Sequence, residues 1–177
     1  GRGDPRFREA LEAIPVAPVV VASLLYPEAA APKALAGFGF LVPSGEKASV
    51  LGVLFDSTVF EGRAPAGKVL LRAMLGGARA PGLADLPEGE ILGLVKEDLR
   101  ATMGIEAEPE EARVFRWRQG IPQYEPGHGE RLDRIEAIRA DHPGLFLTGN
   151  SYRGISMNLC CRDALATARA VLEGLPA

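Results

Sequence analysis

Residues 145 to 172, LFLTGNSYRGISMNLCCRDALATARAVL, read as a short apolar strand, a glycine-bearing turn and a long helix. A strand of that kind normally sits inside a parallel sheet with both faces covered. The rest of the chain offers it no neighbour of its own kind. Upstream, four strand-like runs occur: VVVASLLY ending at Tyr26, Gly39 to Val42, Val50 to Phe55, and Val69 to Leu75. The turn signals PSGEK (Pro43 to Lys47) and EGRAPAGK (Glu61 to Lys68) separate them as hairpins and a meander require. The expected fold class is therefore α+β, with an antiparallel or mixed sheet built locally and an isolated strand and helix at the end.

Three helices should cover or flank that sheet. Arg6 to Ala13 is a short helical pattern stopped by Pro15. Leu86 to Met103 places Ile91, Leu92, Leu94, Val95, Leu99 and Met103 at helical spacing and stops at Gly104. Glu130 to Ala140 is charged, with Leu132, Ile135 and Ile138 turned inward. Between the last two, Ala112 to Arg118 alternates, Val114 and Arg116 facing one way, Phe115 and Trp117 the other, until IPQY and EPGHGE break the strand. The softest border lies at Asp141 to Gly144, dividing residues 1–143 from 144–177. An orphan strand must expose apolar surface or find another partner, so self-association or rearranged packing is expected.

Charge and composition exclude several roles. A net charge of −3 over 177 residues gives no basic field for nucleic acid. The most apolar stretch, Ile14 to Tyr26, is interrupted by Pro15 and Pro18 and is shorter than the roughly 20 residues a membrane span needs. Adjacent Cys160 and Cys161 are poorly placed for a disulfide with each other, and no leader pattern is visible, so a reducing compartment, the cytoplasm, is the expected address. His128 and His142 stand far apart in loop-like contexts and read as surface histidines, not as a metal site. Ser151 lies in GNSYR, not in a nucleophile elbow, and Asp56 with Ser57 lacks a histidine partner, so no catalytic side chain is assigned. Arg2, Gly3 and Asp4 spell an adhesion tripeptide at a terminus, a match that chance explains.

The turn from Gly149 to Gly154 holds the chemistry that can be argued from residues alone. A helix starting near Ser156 points its free N–H groups and positive dipole end at this turn, a place that favours an anion or an electron-rich carbonyl. Gly149 and Gly154 permit close backbone approach, and Ser156 or Asn158 is the candidate cap. Spacing alone leaves a ligand site and an ordinary strand-to-helix turn both open.

Five short motifs occur in order along the chain: GFGFLVP from Gly37, LGVLFDS from Leu51, MLGG from Met74, GIPQYEPGH from Gly120 and GNSYRGISMN from Gly149. Together they resemble the C-terminal third to half of the protoporphyrinogen oxidases, within the amine oxidase-like flavoproteins. The resemblance implies a parent enzyme with non-covalently bound FAD that oxidises a porphyrinogen, with oxygen as acceptor. It implies that Gly154, Ile155, Ser156 and Met157 line the flavin, with Trp117 a second neighbour. Phe38, Gly39, Leu41 and Met74 fall on the wall of the porphyrinogen pocket, where Phe38 would stack on a pyrrole ring. Residues 1–143 then belong to a substrate-binding domain. Residues 144–177 become the last strand and helix of a Rossmann-like FAD domain whose remainder is absent.

Two departures accompany the likeness. No GxGxxG fingerprint followed by an acidic ribose partner exists in the 177 residues, so the ADP half of FAD has no visible home. This chain alone is expected to bind no FAD and to be inactive. Many relatives also read NDC where Asn158 is here followed by Leu159. Other readings remain: a coproporphyrinogen, amine or carotenoid substrate on the same fold, or a binding module without redox chemistry. Peripheral membrane association of the parent is also open.

Overall fold

The computed structural model describes residues 4–31, 35 and 37–174, so Arg2 and Gly3 of the adhesion-like tripeptide lie outside the described residues. The chain forms two compact units, residues 17–120 and residues 1–16 with 121–177. Ile135 and Ile138 share one cluster with Leu147 and Tyr152, so contacts join residues on either side of 143/144.

In residues 17–120 the core element is a five-stranded sheet. Its strands are β1 (Val16–Pro27), β2 (Gly39–Leu41), β3 (Val50–Phe55), β4 (Lys68–Gly76) and β5 (Glu111–Pro122), in the order β2-β3-β4-β1-β5. β1, β3 and β4 pair antiparallel, as does β2 with β3, matching the hairpin spacing of the sequence. Period-2 alternation sends Val20, Ala22, Leu24, Val53, Leu71, Ala73 and Leu75 to one face, where they are buried. The short helix α2 (Asp56–Val59), which the sequence did not announce, follows β3 directly and buries Asp56.

The helix α3 (Glu88–Met103) closes that core face with Ile91, Val95 and Leu99, all fully buried at i, i+4 and i+8. Each such side chain contributes about 1.5–3 kcal/mol relative to exposure. Gly104 ends the helix with φ of 68° and donates to Arg100 O at 3.0 Å. Buried Asp98 fixes the helix to β3, its Oδ2 accepting from Ser49 N at 2.8 Å and Val50 N at 2.9 Å. β5 runs through Ile121 and Pro122, beyond the break expected at IPQY; the chain leaves the strand at Gln123.

In the second unit, α1 (Pro5–Glu12) packs on α4 (His128–Ala140), with Ala10, Ile14, Ile135, Ile138 and Tyr152 buried together. Asp4 caps α1 through Arg6 N at 2.9 Å and also accepts from the Arg6 guanidinium. That guanidinium, with His142 Nε2 at 2.9 Å, holds the Asp4 carboxyl well below the usual carboxylate range. The helix α5 (Met157–Glu173) forms as expected, but the strand at 145–149 does not. No parallel strand among the described residues presents an edge to it, and a strand without ladder partners has nothing to hold it extended. Thr148 instead donates from Oγ1 to Asp163 Oδ2 at 2.7 Å. None of the residues of α5 is buried, and Met157, Leu165 and Leu172 are 82%, 63% and 70% exposed.

Candidate functional site

The closing motif is built around a latch from a motif upstream. The Tyr124 hydroxyl donates to Asn150 O at 2.6 Å and accepts from Gly154 N at 3.2 Å, so one phenol pins both ends of the glycine turn. Its ring stacks on His128, centroids 3.9 Å apart and planes 14° from parallel. His128 is thereby 9% exposed, which corrects its reading as a surface histidine: Gly127, with φ of 86°, starts α4 so that the imidazole turns inward. His128 Nε2 lies 3.4 Å from Tyr152 O, while Nδ1 and the Tyr152 hydroxyl are buried with no partner among the described residues. Burial pushes the Tyr152 phenol up to about 12.

Gly154 is buried against the first turn of α5. A Cβ there would stand 2.7 Å from Cys160 N and 2.9 Å from Cys160 Cα, backbone atoms that cannot swing away. Ser156 is the cap, accepting from Leu159 N at 3.3 Å, which decides between it and Asn158. Ile155 and Met157, 54% and 82% exposed, flank the positive end of this helix. Of the four flavin candidates in this stretch, Gly154 and Ser156 shape the turn, and Ile155 and Met157 offer open apolar surface. A flat, electron-rich ring suits such a surface beside unsatisfied helix N–H groups, so these residues fit an isoalloxazine.

Tyr124 and His128 were not singled out by sequence reasoning as parts of this turn. The available signal was that GIPQYEPGH and GNSYRGISMN occur together; nothing local announces a hydrogen bond across 30 positions.

The substrate candidates lie in the other unit, on the sheet face opposite the α3 core. Register places Leu41, Gly52, Met74 and Val21 in one row across four strands, and Gly39, Leu54, Arg72 and Ser23 in the next. Gly52 has no side chain, and Leu41 leans into the space, its Cδ2 only 2.8 Å from where a Cβ would sit. Gly39, with φ of 138°, would put a Cβ 1.9 Å from Val53 O, so only glycine fits there. Leu41 is 75% exposed and Met74 half-buried. Phe38, 74% exposed, sits just before β2 and accepts from Phe55 N through its carbonyl at 2.9 Å.

Trp117 belongs to this same face. Ala112 and Val114 pack on the α3 core, so alternation along β5 turns Phe115 and Trp117 to the opposite side, 48% and 59% exposed. Arg116 and Arg118 confirm the phase, reaching Leu86 O and Asp85 at the entry to α3. The structure thus brings Gly39, Leu41, Met74 and Trp117 onto one open face, and Gly154 to Met157 onto one helix start, in separate units. Among the described residues no cluster of three His, Cys, Asp or Glu side chains stands ready for a metal ion, and no helix is long and apolar enough to cross a membrane.

Over residues 2–172 the chain matches the family described as flavin containing amine oxidoreductase. It is 33% identical over 154 residues to the coproporphyrinogen III oxidase of Bacillus subtilis (strain 168), covering 86% of this chain and 33% of that protein. It is 34% identical over 178 residues to the chloroplastic protoporphyrinogen oxidase 1 of Spinacia oleracea, covering 94% of this chain and 32% of that one. A solved structure from Exiguobacterium sp. 255-15, provisionally named a protoporphyrinogen oxidase, shares the fold with a TM-score of 0.77 at 24% identity, over 92% of this chain and 36% of that one. The chain spans about a third of the length of these curated relatives. With the glycine turn latched at a helix start, the open sheet face and a match over nearly its whole length, the chain belongs to the flavin-containing amine oxidoreductase family.

Proposed function

We propose that this chain supplies the substrate-facing sheet and the closing flavin-contact turn of an FAD-dependent oxidase that converts protoporphyrinogen IX to protoporphyrin IX with oxygen as acceptor. The observation that carries the reading is the Tyr124 latch, which joins two of the five family-like motifs into one built turn at the start of α5. Names of the curated relatives support the substrate class, being those of protoporphyrinogen and coproporphyrinogen oxidases. In this reading residues 144–177 are the end of a Rossmann-like FAD domain and residues 1–143 part of a substrate domain. The uncovered face of α5 packs against the remainder of that domain in the complete protein.

FAD, when bound, accepts the electrons of the porphyrinogen. Gly154, Ile155, Ser156 and Met157 would hold the flavin, and the α5 dipole would favour negative charge on it. Leu41, Met74 and Gly39, with Phe38 at the margin, offer the flat apolar wall a macrocycle needs, and Trp117, a flavin neighbour by the resemblance, lies on the same face. Alone, the chain lacks a dinucleotide fingerprint and is proposed to be inactive.

A coproporphyrinogen substrate is the second reading, favoured by the Bacillus subtilis relative at 33% identity. Joined covalently to the N-terminal two-thirds of a relative, the chain should gain flavin absorbance and release porphyrin fluorescence from a porphyrinogen. Absence of both signals from a folded, soluble fusion overturns the proposal, and the ratio of turnover on the two porphyrinogens decides between the readings.

A further inference from the structure

We propose that Arg72 receives a carboxylate arm of the substrate on the open face of the sheet, with Arg63 and Arg113 at the margin of the same surface. This assignment rests on the porphyrinogen reading above and gives it a point of attachment. Arg72 stands between Leu54 and Ser23 in its row, one row from Leu41, Gly52 and Met74. Arg72 is the charged side chain of these two rows, in which the other large side chains are apolar.

The group is held from one side and open on the other. Its Nη2 donates to Asp56 Oδ1 at 2.7 Å, while Nε is buried and meets no acceptor among the described residues. Asp56 is 10% exposed at its side chain and Arg72 37%, so the carboxylate pins the base of the guanidinium and leaves part of it facing out. A cavity of about 210 Å³ is lined by Ser23, the register partner of Arg72, and by Leu25 and Leu70 of the next row, together with Arg63 and Arg113. Arg63 lies over the Phe60 ring at 5.3 Å, and Glu111 stands 4.0 Å from Arg113. Asp56 thus pairs with Arg72, Glu111 stands near Arg113, and Leu25 and Leu70 supply apolar lining to the cavity.

That combination matches a macrocycle whose body is apolar and whose edge carries propionates. The apolar row takes the body, and the forked donors of arginine take the carboxylate, which they recognise by geometry as well as charge.

Fluorescence titration of the full 177-residue chain with protoporphyrin IX and with its dimethyl ester, in the same dilute detergent, tests this. The free acid should bind roughly tenfold more tightly than the ester, as one charge-assisted hydrogen bond implies. The double variant Arg72→Met with Asp56→Asn keeps the buried pair neutral and should erase the difference. Asp56→Asn alone removes the competing carboxylate and should widen it, which a purely structural ion pair does not do. Equal binding of acid and ester to the native chain, a preference that survives the double variant, or a narrowed difference in Asp56→Asn overturns the assignment while leaving the porphyrinogen reading intact. If neither porphyrin binds, this assignment falls, and the flavin and porphyrin signals of the covalent fusion decide the porphyrinogen reading separately.

Discussion

The two compact units reach order by different means. Residues 17–120 build a continuous core, in which both β1 and β4 place a row of buried apolar residues against α3. The unit of residues 1–16 and 121–177 has a small cluster under α1 and α4, and holds the start of α5 by single contacts: the Tyr124 latch, the Gly154 approach and the Ser156 cap. Packing therefore fixes the sheet, whereas a few polar bonds fix the turn. The candidate substrate face is supported by redundancy and the candidate flavin turn is not.

Mutations should expose that contrast. Leu71→Ala, at a fully buried position in β4, should cost about 2–5 kcal/mol in urea unfolding followed by circular dichroism. Gly154→Ala should cost about 1–3 kcal/mol, because its Cβ meets backbone that must shift, and the loss should be confined to the α5 region in hydrogen exchange. Tyr124→Phe should cost about 1 kcal/mol or somewhat more, by leaving Asn150 O and Gly154 N unpaired, and should free the turn without touching the sheet. An effect of Tyr124→Phe on the sheet's exchange would break the comparison.

Acid should act on one unit first. Arg6, then His142, hold Asp4 ionised, so its folded pKa lies below the unfolded value of about 3.9. The stabilisation is complete above that value and is lost as pH falls below it. Between about pH 4 and lower pH the α1 contacts should weaken, seen as faster exchange at Phe7 and Arg8, while the single tryptophan, Trp117 on the sheet, reports no change. At the small end, Leu165→Ala on the 63% exposed face of α5 should change stability by about 0.5 kcal/mol or less, measured by urea unfolding.

Much of the sheet unit was legible because periodicity and burial agree there. Val50 to Phe55 and the helix stop at Gly104 follow from alternation and from a left-handed glycine, both local properties. The strand at 145–149 was not, since LFLTG has strand composition but no edge to pair with among the described residues. His128 was misread for the opposite reason: its loop context suggested solvent, whereas it stacks on nearby Tyr124 and meets Tyr152, which lies 24 positions away in sequence. Family-like motifs named the candidate residues, yet register showed Leu41 and Met74 sharing a row, and alternation along β5 put Trp117 on their face. Arg72 carried no motif at all.

The bare flank of α5 implies a gradient of amide protection. With Ser156 and Gly154 securing its start and no residue of the helix buried, amides near Cys160 should exchange most slowly and those near Leu172 most rapidly. Any surface that comes to cover the helix would then reveal itself first at the far end, where slowing has the most room to appear.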